Sequence, residues 1–517
     1  MKAKYFFIAS LFFALPMFSQ ETYEGAEIAT EDLNGTARYV GMGGAMEALG
    51  ADISTMSTNP AGIGMFRKST AAISVGLVNQ MDAHKFNNQG TTNVSFDQVG
   101  FVVAMKSGKN GFMNVGFNYH KSRNFNQILS AANALGGSSA NRLTANKDYA
   151  QVFELGYDTG KEIYGSNDLT YTQADDLYEN YLLLGDQRGF AAESFGYDKA
   201  MTGYIDEYDI NLSGNINDRV YLGFNMGFHD VHYKNWSTYH ETYPGMGDLY
   251  YDDYRNITGS GVDLALGVIF RPIEYSPFRI GVSVKTPTFY NLTSSNYTSL
   301  ETNNDGNLTL DNVYDYKFYT PWRFGLSLGH TIGNNIALGA SYEFASYKGC
   351  DARIDDGTTY YWDDWYGPGY VDHSHSDQAM NDNIDETLKA VHTLKLGVEY
   401  KPIPEVSLRA GYNYVSPIYD ADGWKAVAAY SPGVSYTSDS SFTNWKATNR
   451  FTLGAGYTFG KFNVDLAYQY SARNGDFYAF TDSDTDLTGV NKAPKTEVRD
   501  TTGAGDAFFS GGAIGLT

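Results

Sequence analysis

Residues 220–229 read VYLGFNMGFH, and the alternation within them is strict. Val220, Leu222, Phe224, Met226 and Phe228 fall on one face, and Tyr221, Gly223, Asn225, Gly227 and His229 on the other. A period of two marks a strand, and about ten residues is what a tilted strand needs to cross the hydrocarbon of a bilayer. One face is apolar and the other small or polar, which suits a wall between lipid and a wet lumen.

Working outward, the same pattern recurs at 111–120, 262–270, 278–284, 322–328, 336–344, 394–400, 406–414, 451–459 and 462–470, with weaker versions at 69–79, 94–105 and 204–213. A soluble sandwich alternates too. Here the runs end in Tyr342/Phe344, Tyr412/Tyr414 and Tyr468/Tyr470, where interfacial aromatic girdles belong. The connections have their own rhythm. Short links at 106–110, 214–219, 272–277, 331–335, 401–405 and 460–461 alternate with long ones at 80–93, 123–201, 233–257, 287–319, 347–390, 417–447 and 472–494. Short inner turns and long outer loops are the asymmetry of a membrane barrel.

Composition agrees. Aromatic residues make up 15% of the chain, with 42 Tyr; there are 55 Gly, and charged residues are held to 19%. Past the N-terminus no apolar run is long enough for a spanning helix. A net charge of −22 argues against a nucleic-acid partner, which would need a basic face. No phosphate-binding loop, zinc-spaced Cys/His set or HExxH run occurs, so no catalytic residue, metal ligand set or cofactor is expected. The lone Cys350 has no partner for a disulfide within the chain. Asp263, Arg279, Lys285, Arg323, Glu343, Lys395, Glu399, Arg409 and Asp465 all land on the small/polar face. Facing lipid at mid-depth each would cost about 2–4 kcal/mol. They are therefore expected inside, bracing whatever fills the lumen.

The chain begins MKAKYFFIASLFFALPMFSQ: Lys2 and Lys4, then an apolar core over 5–15. It is too short to span and reads as an export leader over 1–19, with cleavage near Ser19 or Gln20. Residues 35–68, GTARYVGMGGAMEALGADISTMSTNPAGIGMFRK, are rich in Gly, Ala and Met and lack the period of two. Gly41, Gly43 and Gly44 allow close approach, and Asn59-Pro60 sets a turn. The blocks 35–38, 41–45 and 59–64 resemble the N-terminal hatch of the FadL/TodX family. The resemblance implies an all-β, transmembrane antiparallel barrel of about fourteen strands in the outer membrane of a Gram-negative cell. It divides the chain into a hatch over 20–68, a barrel over 69–494 and an atypical tail over 495–517. It also implies passive uptake of hydrophobic compounds, fatty acids or aromatics, with Gly41, Met42, Gly43, Gly44, Asn59, Pro60, Ala61 and Gly62 as moving and bracing parts. The implied partners are a hydrophobic small-molecule ligand, outer-membrane lipid and lipopolysaccharide, and the barrel-assembly machinery. Third strands of the family carry a kink that opens the wall sideways, and Gly116 is the candidate for it here.

Two rival readings stand beside this one. His373 and His375, with His120, motivate a haem or porphyrin receptor on the same barrel, and the acidic 351–377 segment offers carboxylates for calcium. A structural or adhesion barrel with a fixed plug is the other. A helix is expected over 171–184, with Leu182, Leu183 and Leu184 as groove candidates. The end of the chain departs from the pattern. Residues 500–508, DTTGAGDAF, resemble the second signature of ribokinase-like sugar kinases, which would make Gly503 to Gly505 an anion hole and Asp506 a base. Without substrate-positioning elements these cannot catalyse. A gene-level join or a frame error that replaces the natural final strand is the first expectation; the alternative is that 508–516 serves as a makeshift last strand, and the sequence leaves both open.

Overall fold

The computed structural model describes residues 21–107, 111–137, 140, 192–243, 247–302, 306–363, 367–425, 439–480, 493–502 and 508–511. The leader, the helix expected over 171–184 with its three leucines, and Gly503 to Asp506 lie outside them. Among the described residues no helix is long and apolar enough to cross a membrane.

The strands form one antiparallel sheet that closes on itself in fourteen passes. They are β1 (Thr70–Asn79), β2 (Thr92–Ser107), β3 (Gly111–Asn124) continued by β4 (Gln127–Ala134), β5 (Ser194–Ile216), β6 (Val220–Tyr243) and β7 (Gly247–Phe270). Next come β8 (Arg279–Lys285) with β9 (Phe289–Thr302), β10 (Gly306–Tyr319) with β11 (Arg323–Ile332), and β12 (Ile336–Ser346) with β13 (Asp351–Asp363). The remainder are β14 (Gly367–Ser376) with β15 (Ala390–Ile403), β16 (Val406–Val415), β17 (Phe442–Trp445) with β18 (Thr448–Phe459), β19 (Phe462–Tyr478), and β20 (Thr496–Thr502) with β21 (Phe508–Gly511). The tail supplies the closing pass. β20 pairs with β19, and β21 bridges β19 and β1 through Leu466↔Phe509 and Val75↔Phe509. Closure matters because an open edge in lipid would leave unpaired amides at several kcal/mol each.

In the lower barrel the apolar faces point outward. Phe101, Val103 and Met105 of β2, Leu222, Phe224 and Phe228 of β6 and Leu394, Leu396 and Val398 of β15 are exposed. Their neighbours Asn114, Asn211, Asn225 and Asp263 are buried inside. This is a transmembrane barrel.

Three expected long loops turn out to be strand. Residues 233–257 continue the β6–β7 ladder without a break to Tyr243↔Gly247. Residues 289–302 pair with 306–319 as β9 and β10, and 351–363 with 367–376 as β13 and β14. The reason is an inversion of polarity. In upper β6 the outward residues are His232, Lys234 and Trp236, whereas Val231, Tyr233, Tyr239 and Tyr243 are buried inside. Above the membrane the outer face meets water and the inner face becomes the core, so the apolar set changes sides.

Candidate functional site

The segment 21–66 fills the barrel. Short helical turns begin at polar caps: Thr36 accepts from the Tyr39 N–H at 3.1 Å ahead of α2 (Ala37–Gly41), Asp52 from Ser54 at 3.0 Å, and Asn59 from Ala61 at 3.2 Å. Pro60 then sits at the first helical position, where its missing N–H costs nothing. Gly43 and Gly44 have φ of +63° and +79°, a region that other residues rarely adopt.

The wall receives this segment on a row of glycines. Gly329, Gly339, Gly397 and Gly411 stand directly opposite one another across β11, β12, β15 and β16. A Cβ on Gly339 would fall 1.9 Å from the Ala45 carbonyl, one on Gly397 2.4 Å from that of Met42, and one on Gly411 2.2 Å from the Gly43 nitrogen. On the far side Gly223 and Gly267 form another opposed pair. There a Cβ would meet Pro60 at 2.2 Å and Asn59 Oδ1 at 2.1 Å. Backbone therefore lies against backbone at both ends of the segment.

Charges secure the same contact. Glu399 accepts from Arg38 at 3.1 Å and Arg409 at 2.6 Å, and Arg409 also reaches Asp465 at 2.5 Å. Lys395 holds Glu47 at 2.8 Å, and Arg279 donates to the Leu49 carbonyl at 2.8 Å. Glu31 lies 3.0 Å from Arg323 and 3.4 Å from Lys285. Burial would raise its carboxyl, but these two cations outweigh it and hold it at about 2.

The wall is weaker at one place. The β2–β3 ladder runs from Ser107↔Gly111 to Gln98↔His120 and ends there. Beyond it β2 keeps only β1 as a described partner, and the Ser122 carbonyl of β3 accepts from the Asp32 N–H at 2.8 Å. Side chains close the slot: Lys121 donates to Ser95 at 3.0 Å, and Asn34 to Asp97 at 3.3 Å and to the Lys121 carbonyl at 3.0 Å. Arg123 pairs with Asp32 at 2.9 Å and with Glu27. Behind them lies a cavity of about 120 Å³ lined in part by Asn34, Asp97, Arg123, Phe125 and Asp500.

Above the hatch is an aromatic chamber that includes Tyr197, Tyr233, Tyr316, Phe318, Tyr419 and Phe477. Helix α1 (Thr22–Ala29) is threaded through it, with Tyr23 stacked on Tyr419 at 4.8 Å. Two cations are buried there, Arg255 at 1% exposure and Lys425 at 4%. Both are neutralised by the start of α1: Lys425 lies 2.6 Å from Glu21, and Arg255 contacts Glu24 and lies 3.4 Å from Glu21.

Against solved structures, the chain matches a FadL homologue from Pseudomonas aeruginosa with a TM-score of 0.50, over 93% of this chain and 99% of that one, at 11% identity. The chain has the FadL fold. The Ralstonia pickettii toluene transporter TbuX (TM-score 0.48, 12% identity, 94% of this chain and 100% of that) and the monoaromatic hydrocarbon channel CymD (0.49, 10%, 94% and 98%) also align. No family model and no curated protein sequence matches.

Within this FadL-type barrel, Gly41 to Gly44 lie on the β15–β18 side of the lumen and Asn59 to Gly62 on the β6–β8 side. Gly116 faces Met56, whose Cε would be 2.3 Å from an added Cβ. The ladders of β3 run unbroken through Gly116, and the register shift falls later, at Lys121/Arg123. His373 and His375 sit two apart on β14, both exposed, with His375 bonded to Asp356 at 2.8 Å. They share one face of a strand, while His120 is buried in the lower lumen wall. Asp500 of the kinase-like signature is a β20 residue, 3.1 Å from Arg473 and accepting from Gln127 at 2.7 Å. Sequence reasoning missed α1 and the glycine row. The row was detectable: Gly339, Gly397 and Gly411 fall on the small/polar faces of runs already identified as strands, and Gly329 directly follows another such run.

Proposed function

We propose that the protein is an outer-membrane channel for passive uptake of hydrophobic small molecules, gated by the hatch at 21–66. The observation that carries this reading is the aromatic chamber above the hatch, whose two buried cations are capped by glutamates of the chain's own first helix. Glu21 and Glu24 stand where the carboxylate of an amphiphile would stand, which favours a long-chain fatty acid over a neutral aromatic. Such a ligand would displace α1, pair with Arg255 and Lys425, and loosen the segment that carries Gly41 to Gly44 and Asn59 to Gly62. A greasy solute gains nothing from crossing the wet lower lumen. The β2–β3 slot, where side chains replace a ladder, offers it a sideways path into lipid. The leader would deliver the chain to the assembly machinery of a Gram-negative cell, and lipopolysaccharide would surround the outer rim.

Proteoliposomes tested for uptake of a labelled long-chain fatty acid decide the matter. Uptake is expected above that of empty liposomes. Uptake equal to empty liposomes, in both the wild type and an Asn59→Ala/Pro60→Ala variant, would mean a permanently shut structural barrel. A hemin absorbance shift abolished by His373→Ala, without fatty-acid binding, would mean a haem receptor.

A further inference from the structure

Beneath the chamber the lumen wall carries a cluster that touches the hatch only where Lys285 reaches Glu31. His120 (β3), Glu207 and Asp209 (β5), His229 (β6), Asp263 (β7) and Lys285 (β8) meet there, each at most 9% exposed. Lys285 lies 3.1 Å from both Glu207 Oε1 and Asp263 Oδ2. With both imidazoles neutral, three carboxylates face one ammonium. The nearby Arg323 is matched by Glu31 at 3.0 Å and Glu343 at 3.6 Å. In that protonation state the cluster is two positive charges short, to be supplied by two protons on the imidazoles or by one divalent ion, because an uncompensated buried charge is costly.

The two halves of the cluster differ. His229 Nε2 meets Asp263 Oδ2 at 2.7 Å, and its Nδ1 has no hydrogen-bond partner among the described residues, as suits a neutral ring donating once. Tyr290 packs edge-on against it at 5.6 Å. His120 is different. Its Nδ1 stands 3.1 Å from Asn118 Nδ2 and 3.3 Å from Asp209 Oδ2, and its Nε2 stands 3.5 Å from Glu207 Oε2, both carboxylate distances longer than the ~2.7–2.9 Å of a charge-assisted hydrogen bond. Glu207 is fully buried, yet its Oε2 accepts no hydrogen bond among the described residues. Asp209 is oriented by Asn118 at 3.1 Å and Asn225 at 2.6 Å. His120, Glu207 and Asp209 each offer a ligand atom within 4.8 Å of the other two.

We infer that His120, Glu207 and Asp209 bind one divalent transition-metal ion of the zinc class. One nitrogen and two carboxylate oxygens suit such an ion, and its two charges balance the cluster when both imidazoles are neutral, the form in which a histidine ligates. His120 lines the cavity of about 80 Å³ that also borders Glu31, Asn34 and Arg323, which gives the ion a way in. His120 is also the last residue of β3 paired to β2. The ion therefore fastens β3 to β5 at the corner where the slot begins. The site stands on charge and geometry and does not depend on what the channel carries.

The test is titration of the full-length, detergent-purified protein with Zn²⁺ and with Co²⁺ after chelator treatment, with heat-modifiable migration confirming the folded barrel. One ion per chain is expected, with visible d–d bands for Co²⁺. Glu207→Gln and Asp209→Asn should each weaken binding by about 10- to 100-fold or more. His375→Ala, on the exposed hairpin, should leave it unchanged. A folded protein with a flat Co²⁺ titration overturns the proposal and assigns the missing charges to protons on the imidazoles. Full-strength binding in a folded Glu207→Gln variant overturns it equally.

Discussion

The wall across β11, β12, β15, β16 and β18 and the wall between β2 and β3 enclose the same hatch in opposite ways. On the first, the ladders run unbroken through the glycine row that admits the hatch backbone, and Arg409 ties Glu399 to Asp465 at 2.6 and 2.5 Å. On the second, the ladder ends at Gln98↔His120 and the hatch itself bridges the seam through Asn34 and Asp32. One wall holds the hatch; at the other the hatch holds the wall. A shift of the hatch would thus release the slot without breaking any ladder.

The largest effect should follow from removing the shared cation. Arg409→Met removes the cation that Glu399 and Asp465 share, and breaking such a buried set costs about 3–5 kcal/mol. Planar-bilayer recordings should show constant conductance where the wild type is shut. Next comes Gly339→Val, whose Cβ would overlap the Ala45 carbonyl. Overpacking of this kind costs about 1–3 kcal/mol, and the expected result is a folded barrel with a loose, leaky hatch. Gly349→Ala, with no atom within 4 Å of the added methyl, serves as its silent control. A folded Gly339→Val barrel that stays shut would dissolve the contrast between the two walls.

How far these walls were legible follows from the same contrast. The lower barrel could be read because lipid outside and a wet lumen inside give a clean period of two. Upper β6 could not. At Val231 the apolar set moves from the outer to the inner face, which to a reader of period alone looks like a loop. The glycine row lay in plain view, but its meaning needs register, since Gly339 and Gly397 become neighbours only when β12 pairs with β15. The proposed ligand set was unreadable for the same reason: His120 meets Glu207 only when β3 pairs with β5. Asn59-Pro60 needed no partner to be noticed, because its turn chemistry is local.

A pH series probes the tie between hatch and wall at Glu31. Its carboxyl is held at about 2, below an ordinary 4.5, by Arg323 and Lys285. A depressed acid stabilises the docked state fully above its unfolded value and loses that contribution as pH falls through the folded one. The stability gap between wild type and Glu31→Gln should therefore be constant above about pH 4.5 and close towards pH 2. Solvent reaches this pair, so the gap should not exceed about 2 kcal/mol. A gap that persists unchanged at pH 2 would mean Glu31 acts through packing rather than charge.

The smallest effect is the most informative about the slot. Asn34→Ala removes the two side-chain hydrogen bonds that join Asp97 to the Lys121 carbonyl, and leaves every ladder and every hatch ion pair in place. A typical hydrogen bond contributes about 1 kcal/mol, so losing two should lower the closed-to-open ratio of the slot roughly thirtyfold. If fatty acid leaves sideways, uptake into proteoliposomes should rise by about that factor, while ionic conductance through the lumen stays at the wild-type level. If it leaves through the bottom of the barrel, both should remain unchanged. A rise in both would show that Asn34 restrains the hatch as a whole, and the distinction between a holding wall and a held one would fall.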